Sequence, residues 1–301
     1  MGIGYALLTV GLMHHRKIMK KLILLILLLP SLCFGGSIQD AYKAVIARKN
    51  AVGNDYTADA NCMGAWYMNA NTGNETDRSG EDGTLTDGGS TPTSATVPTG
   101  FSGTSRDFEL GDPDYLSHAD AGSTDISGEN AQVSLVAWIK PEAVIDTQEY
   151  DIVGKYDYVV AKEDGQYLLA IIGTDTDEYK FICYVSYTDG VLYHAVESDT
   201  TNYTVASGWH HVACVIDDTD MRIYVDGELD CEVSGSCTAH TEGIFDGDAA
   251  FSIGCDFNND TASDFFDGLI DEVGVFNDAL TAAEVLEIKN YGIDGTKGRS
   301  D

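Results

Sequence analysis

From Asn61 onward, short apolar runs rich in β-branched and aromatic residues alternate with turns of Gly, Asp, Asn and Ser, the composition of half-buried strands. Val212, Cys214 and Ile216 fall two apart and share one strand face, as do Ile223 and Val225. The pattern predicts strands at 65–69, 106–110, 133–140, 150–155, 166–172, 180–187, 191–196, 209–216, 221–225, 228–233, 250–253 and 268–276. Asp226-Gly227 predicts a type I′ hairpin turn, because both residues tolerate positive φ; residues 217–220 form the turn before it. One helix is expected near the C-terminus, where Thr281-Ala282-Ala283-Glu284 is a capping box opening Val285-Leu286-Glu287-Ile288. So many short strands in one stretch predict an all-β fold, a two-sheet antiparallel jelly-roll sandwich.

The N-terminus has a different character. Met19-Lys20-Lys21 precedes the apolar run 22–29 and then Pro30-Ser31-Leu32-Cys33-Phe34-Gly35-Gly36, the three-part layout of a secretory signal. The run is well short of the ~20 residues of a spanning helix. Cys33 and Gly35 suit the −3 and −1 positions, so residues 1–35 read as a leader, with Met13 or Met19 as alternative starts. Residues 36–60 read as a prefix and linker, with Tyr42, Val45 and Ile46 at helical spacing. The sandwich is expected over 61–292, with an irregular loop at 81–103 and a tail at 293–301.

Six cysteines follow the leader, an even count that permits three disulfides in an exported chain. Cys231 and Cys237 form the best local pair, and buried free thiols are the alternative for the others. No Cys-x-x-Cys occurs, so a zinc site is not indicated. Charge narrows the partners: 49 Asp and Glu against 17 Lys and Arg give a net −32. Four of those basic residues lie in the leader, which has no acid, so the remainder is more acidic still. Such a surface repels phosphate backbones and anionic lipid, which disfavours nucleic acid and, after leader cleavage, membrane partners. With 16 Tyr, 10 Phe and 3 Trp the chain is no solvated acidic tail.

Three stretches in order carry a family likeness. The first is Gly64-Ala65-Trp66-Tyr67-Met68 followed by the acidic turn 76–85; the second is Val133-Ser134-Leu135-Val136-Ala137-Trp138-Ile139-Lys140-Pro141. The third comprises Gly208-Trp209-His210-His211-Val212-Ala213, Met221-Arg222-Ile223-Tyr224-Val225-Asp226-Gly227 and Gly268-Leu269-Ile270-Asp271-Glu272-Val273. Together they resemble the LamG-like jelly-roll family of the concanavalin A-like lectin/glucanase superfamily, over residues 62–291. Trp66, Trp138 and Trp209 are read as core between the sheets, and His211 as a structural strand residue.

Enzymes of that superfamily resemble one another in a Glu-x-Asp-x-(x)-Glu cluster on one strand, which aims alternating carboxylates the same way. Glu149-Tyr150-Asp151 begins such a pattern, but Ile152, Val153 and Gly154 follow and no third acid arrives. No nucleophile elbow, zinc-protease, phosphate-loop or dinucleotide motif occurs, so a non-catalytic protein is expected. The resemblance implies a calcium ion near the domain ends, with Asp271 on the motif aspartate and Asp77 and Asp82 in the acidic turn. Asp256, Asn258 and Asp260 also fall at positions 1, 3 and 5 of a calcium loop, although Thr261 stands where that loop wants Gly. The ordinary role of such residues is a solvated turn. For a ligand, the acidic loops 111–127, 146–151, 174–178 and 256–267 and the nearby Tyr150, Tyr156, Tyr158 and Tyr187 are the candidates. The expectation is an exported module that binds a glycan, with calcium as an aid. The alternatives are an adhesive protein that binds an extracellular surface protein, and a divergent glycan hydrolase; oligomeric state is left open.

Overall fold

The structure, a computed structural model, describes residues 53–297 apart from 71–72, 82, 121, 160–161, 164, 188–191, 232–237 and 240–241, with backbone alone at 158–159, 162–163, 192 and 238–239. The leader, the prefix helix, Asp82 and Cys237 lie outside the described residues, as does the side chain of Tyr158. The principal strands are β1 (Cys62–Trp66), β2 (Ser105–Phe108), β3 (Leu116–His118), β4 (Val133–Pro141), β5 (Glu149–Lys155), β6 (Tyr167–Asp175) and β7 (Glu178–Tyr187). They continue with β8 (Leu192–Glu197), β9 (His210–Ile216), β10 (Asp220–Val225), β11 (Phe251–Ile253), β12 (Asp256–Asn258), β13 (Thr261–Ser263) and β14 (Gly268–Phe276), before helix α1 (Ala282–Tyr291). Sheet one runs β10-β9-β4-β14-β2 with β1 paired to β14, and sheet two runs β8-β7-β6-β5-β11-β3; short strands extend both. All of these pairings are antiparallel.

Two-residue alternation decides what each sheet buries. Leu135, Ala137 and Ile139 of β4 and Val212, Cys214 and Ile216 of β9 meet Leu169, Ile171, Phe181, Cys183 and Val185 from sheet two in one core. Cys183 and Cys214 face each other there and form a disulfide between β7 and β9, a cross-link between the two sheets. Cys231 is also disulfide-bonded, while Cys62 and Cys255 are buried free thiols. Trp66 is fully buried, stacks on Phe251 at 5.2 Å and donates its indole N–H to the Gly83 carbonyl at 2.8 Å. Two cations are buried with it: Arg106 pairs with Glu75 at 3.3 Å, and Lys155 with Asp120 at 2.8 Å.

The tryptophan expectation holds for Trp66 alone. Leu135, Ala137 and Ile139 take the inward phase of β4, so Trp138 points out of the sandwich, beside His211 and Phe101. Trp209 lies just ahead of β9, half-buried in the same outer pocket. The outer face of sheet one is covered by α1, whose Val285 and Ile288 pack on Val136, Ala213, Val215 and Phe276. The capping box at Thr281 and Glu284 forms as read. Asp226 and Gly227 have φ of 52° and 84°, the positive values the hairpin turn requires.

Residues from Gly53, read as linker, and 293–297, read as tail, belong to this layer. The Tyr56 amide donates to the Ile293 carbonyl at 2.8 Å, and the Tyr56 ring packs edge-on against Phe276. Among the described residues no helix is long and apolar enough to cross a membrane.

Two stability consequences follow from this core. Removing the cross-link in a C183A/C214A double variant, which frees a 31-residue separation, should cost about 2–4 kcal/mol. Urea unfolding measures it, and unchanged midpoints would show that the bond carries no stability. The second concerns His211, which is fully buried under sheet one, where desolvation lowers its pKa to about 3 despite Asp226, with Lys289 lowering it further. The unfolded side chain titrates near 6.5, about 1.4 kcal/mol per unit of difference. Neutral His211 therefore contributes stability that is complete above about pH 6.5 and is lost as pH falls toward 3. Between pH 7 and pH 4 the wild type should lose more stability than H211F; parallel losses would contradict this role.

Candidate functional site

Among the described residues no helix covers the outer face of sheet two, and β5 supplies the chemistry there. Tyr150 and Ile152 point into the core, so Glu149 and Asp151 point outward. The register with β6 then slips: Val153 pairs with Leu169 and Asp151 with Ala170, leaving Ile152 as the extra residue of a bulge. Past the bulge Val153 again faces the core and Tyr156 joins Leu168, Ala170 and Ile182 on the outer face. Tyr184 of β7 packs on that cluster, 6.1 Å from Tyr156 and 5.5 Å from Tyr193 of β8.

The hairpin β12–β13 folds over one end of this face. Its turn needs φ of 55° and 62° at Asn259 and Asp260, which Asn and Asp tolerate, and both backbone amides donate to the Asp157 carboxylate, at 2.7 and 2.9 Å. Asp256 sits at the hairpin's start and Asp264 just past its end, and the Asp264 carbonyl accepts from the Asp151 amide at 2.9 Å. One carboxylate oxygen from each of Asp151, Asp256 and Asp264 comes within 4.8 Å of the others. Two acids of β5 are thus joined by two from a segment more than a hundred residues later.

The result is a pocket of about 560 Å³ lined by Glu149, Tyr156, Leu168, Tyr184, Tyr193, Asp256 and Asp264, with Asp151 buried beneath. Burial, reinforced by the Asp264 charge, raises the pKa of Glu149 to about 7. Burial likewise raises Asp256 to about 7, although the Ser263 hydroxyl donates to it at 2.6 Å, and it raises Asp151 well above the usual range. Tyr184 donates to Glu149 at 3.4 Å. Phenol rings beside carboxylate acceptors can hold the apolar face of a sugar ring and receive its hydroxyl hydrogens.

The residues singled out from the sequence scatter. Asp256 joins the pocket, but the calcium loop read through Asp256, Asn258 and Asp260 does not form. That segment is a hairpin with Asn258 exposed at its end and Asp260 in its turn. Asp77 accepts from the amides of Ala65, Ser79 and Gly83 and from the Ser79 hydroxyl, so its carboxylate organises the acidic turn. Asp271 is buried on β14, where its Oδ1 accepts from the Glu272 amide at 2.9 Å. Neither Asp77 nor Asp271 belongs to the carboxylate groups that come together among the described residues.

Of the tyrosines, Tyr156 lines the pocket, while Tyr150 is a core residue whose hydroxyl accepts from the Ile145 amide. Tyr187 stacks on His194 at 4.4 Å, outside the pocket lining. Tyr184 and Tyr193 were missed; the outward phase of β7, opposite Cys183 and Val185, was the signal for the first. A second pocket of about 950 Å³, on the other side of the sandwich, is lined by Phe101, Trp138, Trp209, Asp226, Lys289 and Lys297 among others.

Solved structures share this architecture. The binding domain of Paraclostridial Mosquitocidal Protein 1 superposes with a TM-score of 0.56 at 14% identity, over 76% of this chain and 52% of its own. The binding domain of Botulinum Neurotoxin DC, solved in complex with SialylT, gives 0.53 at 14% identity, over 77% of this chain and 51% of its own. The chain therefore spans about half the length of these toxin domains. Domain 4 of AbnA, a GH43 extracellular arabinanase from Geobacillus stearothermophilus solved in complex with arabinotriose, gives 0.50 at 18% identity, over 76% of this chain and 98% of its own. At such identities the likeness is one of fold. No curated protein sequence matches the chain. The family model Laminin_G_3 matches residues 110–286, more than half of the chain, and its span holds sheet one from β4 to β14 without β1 and β2, sheet two from β3 to β11, and the tyrosine pocket: the protein belongs to the concanavalin A-like lectin/glucanases superfamily.

Proposed function

We propose that this protein is an exported, non-catalytic module that binds a glycan in the tyrosine pocket of sheet two. One observation carries the reading: an open pocket sets the rings of Tyr156, Tyr184 and Tyr193 beside the carboxylates of Glu149, Asp256 and Asp264. Tyr193 is 49% exposed at its edge, an aromatic surface available for stacking on a sugar. The fold shared with an arabinanase domain solved with arabinotriose supports the reading, as does the leader pattern at residues 19–35. An inter-sheet disulfide is in keeping with export, since such bonds persist in oxidising compartments. Catalysis is disfavoured because Asp151, the second acid of the strand motif, is buried under the floor and cannot touch a substrate.

Binding of the chain from residue 36 to a panel of plant, bacterial and animal glycans tests the proposal. Saturable binding competed by free oligosaccharide is expected, with no release of reducing sugar. Y193A and Y184A should weaken it at least about tenfold, roughly 1.4 kcal/mol. Failure to bind any glycan, together with capture of an extracellular surface protein, would favour the adhesive alternative; release of sugar that E149Q abolishes would favour the hydrolase.

A further inference from the structure

The pocket floor holds more negative charge than its hydrogen bonds account for. Asp151 is 1% exposed, yet no amide, hydroxyl or cation donates to either carboxylate oxygen, and the group within hydrogen-bonding reach is another acid, Asp256. Buried polar groups are nearly always satisfied, so a buried carboxylate that meets only another acid points to a missing ligand. The side chain is aimed at two others, since oxygens of Asp151, Asp256 and Asp264 lie within 4.8 Å of one another. The charges that act on it most strongly, those of Asp256, Glu149 and Asp264, all share its sign. Nearby Lys155 is engaged elsewhere, with Asp120 and Asp125.

Calcium takes oxygen ligands at about 2.3–2.6 Å in flexible geometry, so two ligands of one ion lie at most about 5 Å apart. The three carboxylates meet that limit, and no histidine or cysteine belongs to the group, which disfavours a zinc-type site. Their positions also suit a clamp: Asp151 lies on β5, whereas Asp256 and Asp264 bracket the hairpin β12–β13. Glu149 lies two residues from Asp151 on the same strand face, at the pocket wall.

We propose that Asp151, Asp256 and Asp264 bind a hard divalent cation, calcium by its chemistry, which pins the hairpin to sheet two and presents open coordination positions to the tyrosine pocket. Neighbouring hydroxyls of a bound sugar fill those positions. The second half rests on the glycan-binding reading above, whereas the cation site stands without it.

Terbium, a calcium surrogate excited through nearby tyrosines, separates the two. Titrated into the chain from residue 36, it should give saturable emission displaced by calcium. D256N and D151N should weaken binding at least tenfold, while E109Q, at an exposed residue of the separate group Asp107, Glu109 and Glu142, should leave it unchanged. Calcium should also raise the melting temperature of the wild type and not that of D256N. If D151N fails to fold, D264N at the half-buried edge takes its place. Absence of terbium binding, binding unchanged in D256N, or binding lost in E109Q would overturn the cation site. Glycan binding that survives EDTA would overturn the bridging role, and calcium binding with no glycan bound by any variant would overturn the glycan reading while leaving the site intact.

Discussion

The phase of one strand governs this molecule's outer surface. Tyr150 and Ile152 must face the core of the sandwich, so Glu149 and Asp151 have only the outer face to occupy. The bulge at Ile152 then lets Val153 face inward as well and returns Tyr156 to the outer face. Without the extra residue, strict alternation from Tyr150 and Ile152 would place Val153 outside and Tyr156 inside. Like-charge repulsion sets the next requirement, because the hairpin β12–β13 brings Asp256 and Asp264 against acids already there. Such a cluster is stable only where a proton or a cation neutralises it. The floor of the pocket is thus first of all an electrostatic constraint.

The two faces of the sandwich are finished differently. Sheet one hides its outer residues beneath α1 and the segment beginning at Gly53, so a buried His211 there is held neutral by desolvation. Among the described residues, sheet two carries a thin outer apolar patch, Leu168, Ala170 and Ile182, edged by tyrosines. The disulfide between Cys183 and Cys214 joins the sheets behind that patch. A ligand on sheet two therefore meets a surface backed by a cross-linked core, the arrangement in which a rigid scaffold holds functional groups in place.

Strand positions were legible because alternation is a local property. The principal strands from β4 to β11 and β14 fall where the apolar runs place them, and the capping box and the Asp226-Gly227 turn depend on neighbours in sequence. The outward turn of Trp138 was legible in principle from Leu135, Ala137 and Ile139, although an aromatic residue on a strand invites a core reading. The site was only half visible. Glu149 and Asp151 stood out as an unfinished motif, and the loop 256–267 as an acidic run, but their meeting is a tertiary fact. Sequence spacing aimed Asp256, Asn258 and Asp260 at one ion, whereas the hairpin geometry keeps only Asp256 at the floor. Cys183 and Cys214 likewise lie on separate strands, so no spacing rule could pair them.

Anomalous diffraction from crystals of the protein soaked with terbium and an oligosaccharide tests the central claim most directly. The account predicts a peak about 2.3–2.6 Å from oxygens of Asp151, Asp256 and Asp264, with sugar density above it against Tyr184 and Tyr193. No peak there, with the three carboxyl groups instead hydrogen-bonded to one another through retained protons, would contradict it.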